Sequence, residues 1–537
     1  MNMDKKLFLV IFCLVFTIYV FTSDGHRSTS DEAFLQQQAL RIVLQEPDPA
    51  FVHGESGNLF KYPEFHYPYG QGPICNYGVL CYPIGIVHSV TAVPFIFVNH
   101  HLDFITTESV FFTTDDFQDA HYVFWRNSAE PDHTFMELFY GSFFSSLSVA
   151  TFFLISRAFK YKITTSLLLA FLLGFTTIFF VYSQTSYNNT PSVFFALVGF
   201  LYFKKFLDTP KILYSLISAS FLIFGFMVRN DIILIIIPIF VFFIVNTVFS
   251  KKNKAIQKFL RITSFTLPLI IGYQFNKIIE TMRNMGVESN IISDSSMLIS
   301  SFGRSSGDPF LSYTNLEGIF GILLSPGAGL FIYVPILLTV FFTFRDFFQI
   351  ERQLTIFCLT ISVAFIMNFG TYSSWEGFTA FSPKYLYTII PFLLLPLGAS
   401  LEKRGRKILP IIFGLGILGF IFNFVNVIQD VSWFVWGHPG GLITGLMGLA
   451  LDTGRSCHLY ICPEVTWTFA YSPLINSINS ALYNLQPDVF LLKLFGIQYY
   501  LPLIISILSI QFYILYKIVK SNVTSIAQNK KNIKKYF

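Results

Sequence analysis

Residues 138–183 read LFYGSFFSSLSVATFFLIS–RAFKYKI–TTSLLLAFLLGFTTIFFVYS, and their reading decides the fold class. Two uncharged blocks, Leu138–Ser156 and Thr164–Ser183, flank a linker that carries Arg157, Lys160 and Lys162. A helix of about 20 predominantly apolar residues crosses a bilayer core. Two such blocks joined by a short basic linker form a transmembrane hairpin with its turn in the cytoplasm.

The pattern continues outward in both directions. Further candidate spans are Leu7–Thr22, Thr190–Phe203, Ile212–Val228, Asp231–Ser250, Ile262–Phe275 and Gly318–Phe344. Leu354–Thr371, Tyr385–Ser400, Ile408–Ile428 and Tyr499–Tyr516 complete the set. The 537 residues are 53% hydrophobic, 18% aromatic and 12% charged. An ordinary soluble chain carries roughly 25% charged residues, so a soluble enzyme, a disordered chain and a disulfide-rich secreted module are excluded. The expectation is an all-α polytopic membrane protein with about 12 transmembrane helices (11–13). Its large first outer loop should contain short helices.

Charge sets the sidedness. Inner linkers are short and basic, among them Lys204/Lys205, Lys251/Lys252/Lys254/Lys258 and Lys403/Arg404/Arg406/Lys407. The expected organisation is a first span at 1–22, an outer loop at 23–137 and spans two to eleven at 138–428 with an outer loop at 276–317. An outer loop at 429–498, a last span at 499–516 and a basic cytoplasmic tail at 517–537 follow. The outer segments hold 26 acidic and 11 basic residues, the inner ones 5 and 25. The net charge of +5 is therefore the remainder of a −15 and a +20, and it says nothing of nucleic acid. Both termini fall in the cytoplasm of a cell membrane, with a prokaryotic plasma membrane favoured over the endoplasmic reticulum.

Residues 76–98 are apolar enough for a thirteenth span, but crossing there would invert every later basic linker; they are read as membrane-surface or re-entrant structure. A cleaved signal peptide is the alternative for the first block, although no A-x-A-like site follows it. Cys75/Cys81 and Cys457/Cys462 form two close pairs in outer loops, consistent with two disulfide-closed loops or with free thiols.

The outer face collects the candidate chemistry. All ten His and all five Trp fall there. No phosphate-cradling Gly-rich loop, G-x-S-x-G or HExxH is present. No span carries a charge in its middle, which weighs against ion-coupled transport. Asp31 and Glu32 follow the first span and open a helical stretch, Ala33–Val43, that Ser30 could cap. They are candidate acid–base groups or a plain helix start. Arg229, Lys277 and Lys384 abut span ends, where a cation can hold a lipid-linked phosphate or simply snorkel. Leu324-Ser-Pro-Gly-Ala-Gly329 breaks an apolar stretch, either lining a cavity or making a packed kink. Asp115 and Asp116 are weak metal candidates; a divalent metal is compatible but not required.

Several segments, in order, resemble the glycosyltransferase-C superfamily, in particular prokaryotic proteins akin to protein O-mannosyltransferases and lipid A aminoarabinose transferases. They are Ser30-Asp31-Glu32; Tyr69-Gly-Gln-Gly72 with Tyr82-Pro-Ile-Gly85; Val181-Tyr-Ser-Gln-Thr185; Leu324–Pro335; and Trp375-Glu-Gly377 with Phe381-Ser-Pro-Lys-Tyr-Leu386. Lys384 stands where Arg is commoner, Glu376 and Ser382 stand where Gly is expected, and Asn188/Asn189 fill a turn that often carries Glu or His. The resemblance implies a membrane glycosyltransferase whose donor is a polyprenyl-phosphate-linked sugar and whose acceptor is a protein, lipid or glycan. It implies Asp31 (or Glu32) as base and Arg229, Lys384 and Lys277 as phosphate ligands. Tyr69, Trp375, Glu376, Trp433 and Trp436 are the corresponding sugar or acceptor contacts. A lipid flippase or transporter, or a non-catalytic subunit of a glycosylation complex, are the other readings.

Overall fold

The computed structural model describes residues 3–25, 85–101, 134–249, 254–284, 314–372, 375–377, 383–429, 463–483 and 487–536. It also describes scattered residues between 32 and 43 and the short strands Phe51–Val52 (β1), Ile74–Cys75 (β2) and Val79–Leu80 (β3). Helices dominate, as the apolar blocks require. The strands pair antiparallel in the order β1-β3-β2, a small sheet that the sequence did not announce.

Helices occupy each predicted block. They are α1 (Met3–Thr22), α2 (Ile86–His101), α3 (Thr134–Ala158), α4 (Ile163–Phe175), α5 (Phe179–Tyr182), α6 (Asn189–Asp208) and α7 (Ile212–Val228). Then come α8 (Ile233–Val248), α9 (Ala255–Asn284), α10 (Thr314–Leu324), α11 (Leu330–Tyr333), α12 (Val340–Ile350) and α13 (Arg352–Gly370). The last are α14 (Ile390–Arg404), α15 (Leu409–Val427), α16 (Pro463–Trp467), α17 (Pro473–Tyr483), α18 (Phe490–Phe495) and α19 (Ile497–Tyr536). Seven stretches among the described residues are long and apolar enough to cross a membrane unaided. One of them, Lys384–Val427, holds both α14 and α15, which part at Gly405 with φ +59°.

Two predicted spans are broken for legible reasons. In Thr164–Ser183 the Thr176 and Thr177 hydroxyls bond back to the Leu172 and Leu173 carbonyls, and Thr177 Oγ1 then accepts from the Phe179 amide. Such back-bonding competes with the helical ladder, so α4 ends and α5 starts anew. In Gly318–Phe344, Pro326, Gly327, Gly329 and Pro335 divide the stretch into α10, α11, a 3-10 turn and α12.

The helices run alternately up and down between two ends. Asp4, at the start of α1, pairs with Arg157, at the end of α3, at 3.1 Å. At the opposite end the Ser23 hydroxyl donates to the Glu137 carbonyl at 3.5 Å. We call the first the basic end and the second the turn end. Buried aromatics fill the space between: Phe179 stacks on Tyr387 at 4.1 Å, and the Tyr19 hydroxyl donates to the Gly174 carbonyl at 2.7 Å. Helix α2 takes up residues 86–98 of the 76–98 block, and residues 79–80 of that block form β3. It packs through Ala92 and Ile96 on Met136, Tyr140 and Phe144 of α3, and the Thr91 and Tyr140 hydroxyls lie 2.6 Å apart. Gly85, just before it, lies against the Met227 carbonyl at the end of α7, and its Asn99 accepts from the Phe135 amide at 2.7 Å. It therefore lies across the turn end.

Candidate functional site

Residues 183–189 organise the turn end. Helix α5 stops at Ser183, whose hydroxyl bonds the Phe180 carbonyl at 2.7 Å. The chain then turns tightly against α3, and glycine is required there: a Cβ on Gly141 would stand 2.3 Å from the Thr185 carbonyl oxygen and 2.6 Å from that of Ser183. The Gln184 amide donates at 2.7 Å to both the Thr22 and Val427 carbonyls, tying the ends of α1 and α15 to the turn. These carbonyls are among the last of their helices, which have no partner within the helix itself.

Carboxylates gather on Ser186. Glu32, 1% exposed, accepts from the Ser186 amide at 2.9 Å. Glu137, equally buried in the first turn of α3, accepts from the Ser186 hydroxyl at 3.4 Å. Gln36 also donates to Glu137, so the helical stretch that starts with Glu32 reaches the same place one turn later. His88 of α2 is buried beside the Ser186 backbone; burial pushes its imidazole down to about 3, against the effect of that backbone, and keeps it neutral. The sequence reading passed over Glu137. The criterion applied to the cations, a charge abutting a span, would have found it.

Cations gather three residues further on. Arg229, in the turn between α7 and α8, donates through Nη1 to the side-chain carbonyl of Asn189, with Asn188 at 3.4 Å. Its Nε lies 2.8 Å from Asp231. The other end of the Asn189 amide donates to the Lys384 carbonyl at 2.8 Å. The Lys384 ammonium lies over the Tyr187 ring at 5.8 Å and the Tyr385 ring at 5.4 Å. Three chain steps span at most about 11 Å, so Glu32, Glu137, Arg229 and Lys384 all converge on one short turn. Lys277 sits on α9, which packs against α7.

Beside Lys384, Gly377 adopts φ +94°, which an L side chain rarely takes, and its backbone faces the Lys384 stem. Trp375 lies flush on Gly321, where a Cβ would stand 2.2 Å from the indole, and its ring centre is 5.9 Å from that of Trp467. Trp467, which the sequence reading did not single out, donates to Glu317 at 3.1 Å. Glu376 is pushed up to about 7 by burial and by the neighbouring Glu317 charge, with its own backbone amide and Lys384 opposing. The Ser325–Gly329 break is tightly packed: the Gly327 amide donates to the Thr466 carbonyl at 3.0 Å, and the Tyr333 hydroxyl donates to the Gly327 carbonyl at 2.8 Å.

Asp31, Tyr69, Asp115, Asp116, Trp433, Trp436, Cys81, Cys457 and Cys462 lie outside the described residues, and Cys75 is described only as backbone of β2. Among the described residues no three His, Cys, Asp or Glu side chains come together as a metal-binding group.

Residues 138–272 match the family model described as dolichyl-phosphate-mannose-protein mannosyltransferase. This stretch contains Ser186, Asn189 and Arg229 but neither Glu32 nor Lys384. No curated protein sequence matches the chain significantly. Among solved structures it is similar to the apo oligosaccharyltransferase of Archaeoglobus fulgidus, at 9% identity and a TM-score of 0.46 over 83% of this chain. The chain spans 59% of that protein's length. It is also similar to ArnT of Cupriavidus metallidurans bound to undecaprenyl phosphate, at 11% identity and a TM-score of 0.46, over 88% of this chain and 75% of that one. A third is AglB of A. fulgidus with an inhibitory peptide and a dolichol-phosphate, at 11% identity and 0.44, over 82% and 59%.

Proposed function

We propose that this protein is a membrane glycosyltransferase that moves a sugar from a polyprenyl-phosphate donor to an acceptor hydroxyl at the turn end. The observation that carries this reading is the 183–189 turn, which brings first-loop carboxylates and two span-end cations within a few residues of each other. The family match over 138–272 supports it.

The chemistry follows from where each group is held. The acceptor oxygen attacks the anomeric carbon from the face opposite the phosphate; the new C–O bond forms as the sugar–phosphate bond breaks and configuration inverts. The electron pair leaves with polyprenyl phosphate. That leaving group is already a good one, so it needs charge stabilisation rather than a proton. Arg229 and Lys384 supply it at the lip of the bundle, where the prenyl tail stays in lipid. Glu32 already accepts from the Ser186 amide, so we assign the proton-accepting role to Asp31 and the positioning of the loop to Glu32 and Glu137. Trp375, with Tyr69, Trp433 or Trp436, offers sugar-stacking faces, and the loop 429–498 offers acceptor contacts. Lys277 is a third candidate for the phosphate. The turn end faces outward, both termini are cytoplasmic, and the four loop cysteines close two disulfides.

The test is sugar transfer from a polyprenyl-phosphate donor by purified protein. Asp31→Asn should lower the rate about 10²–10⁴-fold, the usual contribution of a positioned base, with expression and melting temperature unchanged. Full activity in Asp31→Asn, Glu32→Gln and the double variant would defeat the assignment.

A further inference from the structure

We infer that Asn189 is the positioning residue that joins Arg229 and Lys384 into a single phosphate-binding pair, an inference that rests on the donor-phosphate reading of those two cations. Asn189 is 2% exposed, and its carboxamide is used at both ends. The oxygen accepts from Arg229 Nη1, and the nitrogen donates to the Lys384 carbonyl at 2.8 Å. Arg229 comes from the turn between α7 and α8, and Lys384 from the segment that leads into α14. Two like charges on separate elements repel one another, and nothing in the local sequence of either fixes their spacing. Asn189, in the first turn of α6, sets it.

The amide is suited to this by its two unlike ends: an acceptor for a guanidinium and a donor for a carbonyl. A carboxylate of the same size could hold Arg229 more strongly but has no proton for the Lys384 carbonyl, and it would cancel positive charge where a phosphate must bind. A methyl group does neither. Asn188, at 3.4 Å from the same guanidinium nitrogen, is a weaker second contact. Asp231 holds the Nε side of the guanidinium, so Arg229 is fixed from two directions.

The experiment measures binding of undecaprenyl phosphate and of neutral undecaprenol to the full-length protein in nanodiscs, with no sugar transfer required. Asn189→Ala should weaken undecaprenyl phosphate binding about tenfold, the effect of losing hydrogen bonds to a charged group, and Asn189→Asp should weaken it further. Undecaprenol binding should not change. Asn189→Asp keeps the size and the Arg229 contact, so it remains informative where the alanine variant folds poorly. Wild-type phosphate binding in Asn189→Asp, or equal loss of both ligands in Asn189→Ala, would overturn the inference while Arg229→Ala and Lys384→Ala still lose the phosphate. If those two variants also bind undecaprenyl phosphate normally, the donor-phosphate reading itself falls.

Discussion

The two ends of the bundle hold their charges on different kinds of support. At the basic end each of the five acidic residues meets a cation: Asp4 with Arg157, Asp208 and Glu351 with Lys204, Glu402 with Lys162, and Asp346 with Lys403 and Arg404. Apart from Lys204–Asp208, which lies within α6, these contacts join elements that are not consecutive in the chain. At the turn end the buried carboxylates Glu32 and Glu137 are held by an amide, a hydroxyl and a carboxamide, while Arg229 meets Asp231 at 2.8 Å and shares the Asn189 side chain with the Lys384 carbonyl. Pairing neutralises charge and stabilises helix ends. Uncharged supports, Ser186 and Asn189, instead bring carboxylates and cations onto one short turn.

That contrast can be broken by mutation. The largest effect is expected at the turn end: Arg229→Ala or Lys384→Ala should cost about 10²-fold or more in transfer efficiency, the scale for removing one stabilising donor from developing charge. Kinetics with a lipid-linked donor would measure it, and Lys384→Arg should keep most of the activity. Asp346→Ala at the basic end should behave differently. It removes a 2%-exposed carboxylate bonded to Lys403, Arg404 and Ser400, so about 1–3 kcal/mol of stability should be lost. Denaturation in detergent would show this loss, with transfer per folded molecule unchanged. A loss of activity in Asp346→Ala comparable to that in Arg229→Ala would erase the distinction between the ends.

The smallest effect concerns Glu376. Its folded-state carboxyl titrates near 7, against an ordinary 4.5. The folded protein therefore holds this proton more tightly than the unfolded chain, and the group's unfavourable contribution grows as pH rises from about 4.5 to about 7. Glu376→Gln should flatten that part of the stability–pH curve. An unchanged slope would mean that Glu376 is better solvated than its burial among Trp375, Glu317 and Lys384 implies.

Much of the fold was legible because lipid imposes a simple rule: the backbone must bond to itself, so each apolar block becomes a helix. Block edges were less legible. Helix α9 runs from Ala255 to Asn284, well past its apolar centre, and α19 continues through Lys517 and Lys520 into the tail, since polar residues extend a helix as readily as apolar ones. Arg229, Lys384 and the overlooked Glu137 stand in the sequence as charges beside spans and Glu32 as part of an acidic pair after the first one, whereas Trp467 and the role of Asn189 were not legible, because each depends on partners distant in sequence.

The sequence by itself determined a polytopic helical membrane protein, its division into a basic and an acidic side, and the few cations and acids worth watching on the latter. Composition and charge act locally on each segment, so they can be read one block at a time. Only the tertiary structure decided that the turn at 183–189 is the meeting point. Gly141 lets that turn close on α3, Gln184 ties it to α1 and α15, Ser186 gathers two carboxylates, and Asn189 gathers two cations. Those contacts join residues as far apart as 189 and 384, and no local property of either segment contains them.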